Sequence, residues 1–124
     1  MSAEDVEYVI PEEIQAVSIT ASLQLITHTY SPVVLGFLNS LTNRTSIRLV
    51  KLAGQSSWHT HDHTDEVFLL LRGAVTILYK AGSGAEKSAR CIGGELLVVP
   101  MKMEHCVIAE EGTEVLLLEG CPES

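Results

Sequence analysis

The chain has 124 residues, a length typical of one compact domain. Sixteen acidic against eight basic residues give a formal net charge of −8, which excludes the electrostatic attraction that nucleic-acid binding depends on. Hydrophobic residues make up 46% of the chain and charged residues only 19%, so the composition excludes a disordered chain. An apolar composition of this kind is also typical of chains that bury part of their surface in an oligomer, and we expect a homodimer.

The sequence predicts no membrane partner and no export signal. The longest apolar runs, residues 67–71 and 96–101, fall far short of the roughly 18 residues that a membrane span needs. Residues 1–5 are acidic and lack the basic and apolar regions of a secretory signal. The three cysteines have no Cys-x-x-Cys spacing and are expected to be reduced thiols. We therefore expect a soluble, cytoplasmic protein.

The first 24 residues form a predicted N-terminal appendage. Pro11, Glu12 and Glu13, followed by Ile14 and Val17, favour a short helix with proline and carboxylates in its first turn. We assign residues 1–24 to this helical or extended appendage and residues 25–124 to a single domain.

After the appendage, short β-type runs alternate with turn residues. Glycine-rich segments such as 82–84 and 93–94 separate the runs and are typical of turns. Residues 31–39 fit a loop, a short helix or an edge strand equally well. The spacing of the runs indicates an all-β sandwich or barrel. We predict strands at residues 23–29, 46–52, 67–71, 75–80, 96–99, 105–109 and 114–119.

Residues 58–66 concentrate metal-ligating side chains. His59, His61 and His63 lie within five positions, and the segment ends at Glu66. On a strand, His59 and His61 point to the same face because side chains alternate with period two. If the polar residues 62–65 turn the chain back, the Glu66 carboxylate can approach the same ion. Imidazole nitrogen combined with carboxylate oxygen suits a divalent transition metal (Fe, Mn, Ni, Zn, Co or Cu) better than Ca or Mg.

Two spaced motifs surround this segment. The first, from Gly54 to Gly73, reads G-x4-H-x-H-x4-E-x6-G, and the second, from Gly94 to His105, reads G-x5-P-x4-H. In these motifs the sequence resembles the cupin superfamily. The stretch over residues 49–68 is also similar to small single-domain cupins described as mannose-6-phosphate-isomerase-like.

The resemblance implies an all-β fold, a double-stranded β-helix or small jelly-roll barrel, with a metal held by His59, His61, Glu66 and His105. Four protein ligands on an octahedral ion would leave two positions for a small-molecule substrate or ligand. We therefore expect a metal-dependent enzyme that acts on a small metabolite by isomerisation or oxygenation. The alternative is a non-catalytic cupin module that binds a metal or a small ligand.

Two positions depart from the resemblance, Lys102 and Ala109, and Ala109 stands where an asparagine is usual a few residues after the last histidine. Lys102 stands where the second motif usually has glycine, two residues after its proline. Glycine adopts a positive φ at little cost and lysine does not, so we expect the turn before His105 to be reshaped.

Other candidate residues receive no site assignment. His63 is expected in a turn and His28 in a structural role. Cys106 follows His105, but adjacent strand residues point to opposite faces, which argues against a Cys–His nucleophilic pair. Either Arg48 or Lys51 could face an anionic substrate, and strand alternation permits only one of them to do so.

Overall fold

The structure, a computed structural model, describes residues 8–121. The first seven residues of the predicted appendage therefore lie outside it. No helix within residues 8–121 is long and apolar enough to cross a membrane. The described residues form one short helix and seven strands: α1 (Ile19–Leu25), β1 (Val33–Asn39), β2 (Arg44–Gln55), β3 (Glu66–Arg72), β4 (Ala74–Lys80), β5 (Glu86–Ile92), β6 (Leu96–Val99) and β7 (His105–Gly120).

β7 is the centre of the fold. It pairs with β2 along one edge, and along the other edge it pairs first with β4 and then with β3. β1 extends the sheet beyond β2, β6 extends it beyond β3, and β5 pairs with β4. All of these pairs are antiparallel. The predicted all-β, jelly-roll class of fold is confirmed.

The two strands predicted at 105–109 and 114–119 are one continuous strand, so the turn expected between them is wrong. Gly112 adopts a positive φ of 81°. Opposite it, the register with β2 passes from Leu52↔Thr113 to Gly54↔Ala109, so three residues of β7 face only Ala53. A bulge of this kind bends a strand without ending it. The bend lets one strand pair with β4 at its start and with β3 at its end.

The helix and the strand that we predicted near the N-terminus do not lie where the sequence placed them. The helix begins after Ser18, whose hydroxyl accepts a hydrogen bond from the Ala21 N–H at 3.1 Å, and the predicted helix near Pro11 is absent from the described residues. The strand predicted at 23–29 is also wrong, because its first residues belong to α1. Ile14 is 98% exposed, so the apolar positions that suggested a helix have no surface to pack against within residues 8–121.

Two further strands, β1 and β5, are not among those predicted from the sequence. The ambiguous residues 31–39 contain the edge strand β1. β5 was missed because only Cys91 among its residues is buried, and the strand therefore lacks an apolar alternation. Pairing with β4 through the turn at 81–85 defines it instead.

The core lies inside the barrel and is formed mainly by every second side chain along β2, β3 and β7. The residues with this alternation include Leu70, which is 1% exposed, and Val115, which is fully buried. The same alternation continues towards one end of the barrel to Arg48 on β2, Glu66 on β3 and Glu119 on β7. Charged groups therefore replace apolar ones at that end.

Candidate metal centre

A backbone bridge brings the histidine segment to the start of β7. The His59 N–H donates to the His105 carbonyl at 2.9 Å, and the His105 N–H donates to the His59 carbonyl at 3.0 Å. The His59 and His105 ring centroids lie 4.3 Å apart, and that of His61 lies 5.1 Å from His59 and 5.5 Å from His105. The structure thus brings together the three histidines that the motifs singled out.

Glu66 lies beside this cluster at the first position of β3. Its Oε1 is 3.4 Å from His61 Nε2 and 3.9 Å from His105 Nε2. The residue is only 5% exposed, so its carboxylate faces the imidazoles from within the barrel. All four residues proposed from the sequence are therefore neighbours in the fold.

Two of the rings are oriented by main-chain carbonyls. His59 Nδ1 lies 2.8 Å from the Ser57 carbonyl oxygen, and His105 Nδ1 lies 2.8 Å from that of Met103. A carbonyl only accepts hydrogen bonds, so each Nδ1 carries the proton and each Nε2 presents a lone pair. Metal-ligating histidines are commonly oriented through the second ring nitrogen in this way.

The lone pairs of His61 and His105 have no evident use within the protein. His105 is fully buried, and neither its Nε2 nor that of His61 has a hydrogen-bond partner among residues 8–121. Leaving a buried polar atom unpaired costs roughly 1–3 kcal/mol. Three imidazole nitrogens that lie within 4.8 Å of one another, with a carboxylate beside them, fit a metal-binding cupin.

The sequence reading missed Glu119 as a member of the site. Its Oε1 lies 2.7 Å from His61 Nδ1, and its other oxygen, Oε2, accepts a hydrogen bond from Arg48. Glu119 is directly opposite Glu66 in the β3–β7 register. The signal in the sequence was the period of two that leads from Val115 through Leu117 to a carboxylate. The open choice between Arg48 and Lys51 is settled, since Lys51 instead donates to the carbonyl of Ile26 at 3.2 Å.

Burial and neighbouring charge alter the acid–base properties of the site. Burial, reinforced by the Glu119 carboxylate, raises the pKa of Glu66 from its ordinary 4.5 to about 7. Burial lowers the pKa of His105 and so favours its neutral form, which is the form that binds metal. The metal-free site therefore disfavours charge on both groups.

A cavity of about 230 Å³ opens beside the cluster. His59, His61 and Glu66 contribute polar atoms, and Arg48 and Glu119 form a charged wall. The remaining lining is mainly apolar: Pro32, Leu52, Phe68, Val107 and Leu117, with Tyr30 and Ser56 at polar points. The arrangement could hold a small molecule against an ion at the imidazoles.

The turn before His105 keeps the conformation that glycine favours, contrary to the expected reshaping. Lys102 has a φ of 68°, in the left-handed region. Its N–H donates to the His61 carbonyl at 2.7 Å, and Met101 N–H donates to Asp65 at 2.9 Å. These bonds tie the second motif to the first and compensate for the strain.

The remaining candidates lie outside the cluster. His63 and His28 are exposed. Cys106 is buried, and its sulfur lies 3.8 Å from the Gln55 side-chain nitrogen.

Solved structures with the same fold were found by comparison. A cupin-2 domain containing protein from Shewanella frigidimarina is 27% identical, with a TM-score of 0.74 over 85% of this chain and 94% of its own. A protein from Neisseria meningitidis is 27% identical, with a TM-score of 0.66 over 85% of this chain and 98% of its own. A variant of Bacillus subtilis oxalate decarboxylase is 22% identical, with a TM-score of 0.50 over 64% of this chain and 21% of its own, and shows the fold alone. No family model and no curated protein matches.

Proposed function

Because the chain belongs to the cupin superfamily, we propose that it is a metal-binding cupin whose ion is held by His59, His61, Glu66 and His105. We propose further that the protein is a metal-dependent enzyme acting on a small metabolite. One observation carries the proposal: three imidazole nitrogens lie within 4.8 Å of one another beside a carboxylate, and Nε2 of fully buried His105 has no hydrogen-bond partner in the described chain.

The donor set favours a divalent transition ion, Fe, Mn, Ni, Zn, Co or Cu. When bound, such an ion supplies a Lewis acid for a carbonyl or water, or a redox centre for oxygen chemistry. The protein's own part is to hold the Nδ1 protons of His59 and His105 with main-chain carbonyls, so that Nε2 of each ring presents a lone pair. Phe68 and Val107 form part of the apolar wall of the adjoining cavity.

The cavity supports a small ligand. Its volume of about 230 Å³ is below the roughly 300–1,000 Å³ of pockets that take drug-sized molecules. Isomerisation and oxygenation are the two reaction classes that we propose for it. The narrower likeness to mannose-6-phosphate-isomerase-like cupins and the cytoplasmic location stay predictions.

Elemental analysis of untagged protein tests the metal site. We expect about one equivalent of a transition metal per chain, and loss of that metal in His105→Ala and in His61→Ala. His63→Ala is the matched control, since His63 lies on the same segment but is exposed. Circular dichroism identifies variants that fail to fold. A folded wild-type protein that binds no metal after reconstitution, or a His61→Ala variant that keeps a full equivalent, would contradict the proposal.

The catalytic part of the proposal requires open coordination positions. Water-proton relaxation of Mn(II)-loaded protein should show exchangeable water that a small chelating acid displaces. A loaded protein with no exchangeable water would instead favour the non-catalytic metal-binding or ligand-binding module.

We also propose a homodimer, with all site residues in domain 25–124 and none in appendage 1–24. Exposed Val34, Phe37 and Leu38 on edge strand β1 support a subunit contact there. Light scattering should then give twice the chain mass of 13.5 kDa.

A further inference from the structure

The three histidines of the cluster are not oriented in the same way. His59 and His105 each use the carbonyl two residues earlier in the chain, at Ser57 and Met103. For His61 the equivalent carbonyl belongs to His59, and it already accepts the His105 N–H at 3.0 Å in the bridge between the two segments. His61 Nδ1 lies instead against an acceptor on another strand.

Glu119 supplies that acceptor. Its Oε1 lies 2.7 Å from His61 Nδ1, which leaves His61 Nε2 directed to the side of Glu66. A carboxylate oxygen accepts hydrogen bonds, so this contact favours the proton on Nδ1 of His61. It also raises the basicity of the opposite nitrogen, which a neutral carbonyl does less strongly.

Glu119 is itself held in place by Arg48. The Arg48 guanidinium donates to Glu119 Oε2, the oxygen that does not face His61. Glu119 also stands directly opposite Glu66 in the sheet, where two like charges repel each other. Arg48 supplies the opposite charge beside this pair and holds the Glu119 carboxylate in place next to His61.

We propose that Glu119, restrained by Arg48, is a positioning residue that fixes the tautomer and ring orientation of His61 so that its Nε2 faces the metal. This inference rests on the proposed metal site, but the state of His61 is a property of the metal-free protein as well. The two ideas can therefore fail separately.

The first readout is the His61 tautomer in chelator-treated protein labelled with ¹⁵N-histidine, recorded at pH 8. Long-range ¹H–¹⁵N spectra should show the Nδ1–H form of His61 in the wild type and in Glu119→Gln, because the glutamine oxygen still accepts. Glu119→Leu should convert His61 largely to the Nε2–H form. An unchanged tautomer in Glu119→Leu would overturn the inference, whether or not the protein binds metal.

The second readout is Co(II) affinity, measured by competition with a chelator. Glu119→Leu should bind Co(II) roughly 10–100-fold more weakly, the usual cost of removing an orienting partner. Glu119→Gln should recover most of that loss. Equal losses in the two variants would mean that Glu119 is itself a ligand, and no loss in either would mean that the Arg48–Glu119 pair serves the sheet alone. Both results would overturn the positioning role.

The chain offers a matched control on the same strand. Glu110 also lies on β7 and forms an ion pair with an arginine, Arg90, at 3.0 Å, but both side chains are exposed. Glu110→Leu should therefore leave the His61 tautomer and the Co(II) affinity as they are in the wild type. If the wild type binds no Co(II) yet shows the expected tautomers, the metal proposal fails while the orienting role of Glu119 stands.

Discussion

The strands around β7, residues 44–120, and the chain before them, residues 8–39, are both rich in apolar side chains but bury them very differently. In the first region Leu70 is 1% exposed, whereas in the second Ile10 is 80% and Ile14 98% exposed. β7 has partners on both edges, but β1 has a partner on one edge only. Ile26, at 5% exposed, is an exception in the second region, but the shared core lies where paired strands close over apolar side chains.

The largest effect that separates the two regions is expected from truncation of buried leucine. Leu70→Ala should destabilise the protein by about 3–5 kcal/mol, because it removes buried methyl groups and leaves a cavity in the core. Ile14→Ala should change stability by less than about 0.5 kcal/mol, as exposed substitutions usually do. Urea denaturation of the chelator-treated protein measures both values.

Ile14→Ala also tests whether the N-terminal region is covered in solution. A cost above roughly 1 kcal/mol would mean that Ile14 is buried against another molecule, since within one chain it is exposed. A second copy in the proposed homodimer would then be the first partner to examine. The comparison between the two regions would in that case hold only for the isolated chain.

A smaller effect is expected from pH, because the barrel buries a carboxyl group and the N-terminal region does not. The pKa of Glu66 rises from 4.5 unfolded to about 7 in the folded protein. The folded state therefore binds the proton more tightly, and the stability of metal-free protein should fall as pH rises from 4.5 to 7. This difference in pKa corresponds to a stabilisation of the folded protein by about 3 kcal/mol at low pH, and that stabilisation is fully lost above pH 7.

Glu66→Gln isolates this contribution. The metal-free variant should match the wild type near pH 4 and exceed it by up to about 3 kcal/mol at pH 8, because glutamine carries no charge to bury. His105 has a lowered pKa and acts in the opposite direction, but it is present in both proteins. Exposed Glu13→Gln is the control. Equal pH dependence in wild type and Glu66→Gln would show that Glu66 ionises freely in the fold.

The two regions also differ in how far the sequence predicted them. The pattern of short apolar runs between turn residues located β2, β3, β4 and β6, because each presents apolar side chains to one core. It failed for α1, which the Ser18 cap places after the predicted helix, and for β5, which has little buried surface. A local sequence pattern identifies a helix or strand only where the burial of one of its faces requires that pattern.

The residues of the candidate site also differ in whether the sequence predicted them. His59, His61, Glu66 and His105 were found because they lie at fixed spacings within two short motifs. Their orienting partners could not be found in that way, since Glu119 approaches His61 from a position 58 residues later through the pairing of β3 with β7. Strand register, a property of the folded sheet, decides which carboxylate meets which imidazole.

The smallest effect is expected at two residues in the left-handed conformation. Lys102 in the barrel has a φ of 68°, and Tyr30 in the N-terminal region has a φ of 59°. Glycine relieves a left-handed conformation of roughly 1–2 kcal/mol of strain, but it also adds freedom to the unfolded chain worth about 0.4–1 kcal/mol. Lys102→Gly should therefore stabilise the protein by at most about 1.5 kcal/mol.

Tyr30→Gly has the same backbone advantage but loses a side chain that lines the cavity and donates to the Gly54 carbonyl at 3.3 Å, so it should not stabilise the protein. Lys102→Gly should also keep the Co(II) affinity, since Lys102 contacts the site through its main-chain N–H on the His61 carbonyl, which glycine retains. Thermal unfolding and chelator competition measure the two quantities. A loss of stability or of metal in Lys102→Gly would show that the lysine side chain, and not only its backbone, supports the turn before His105.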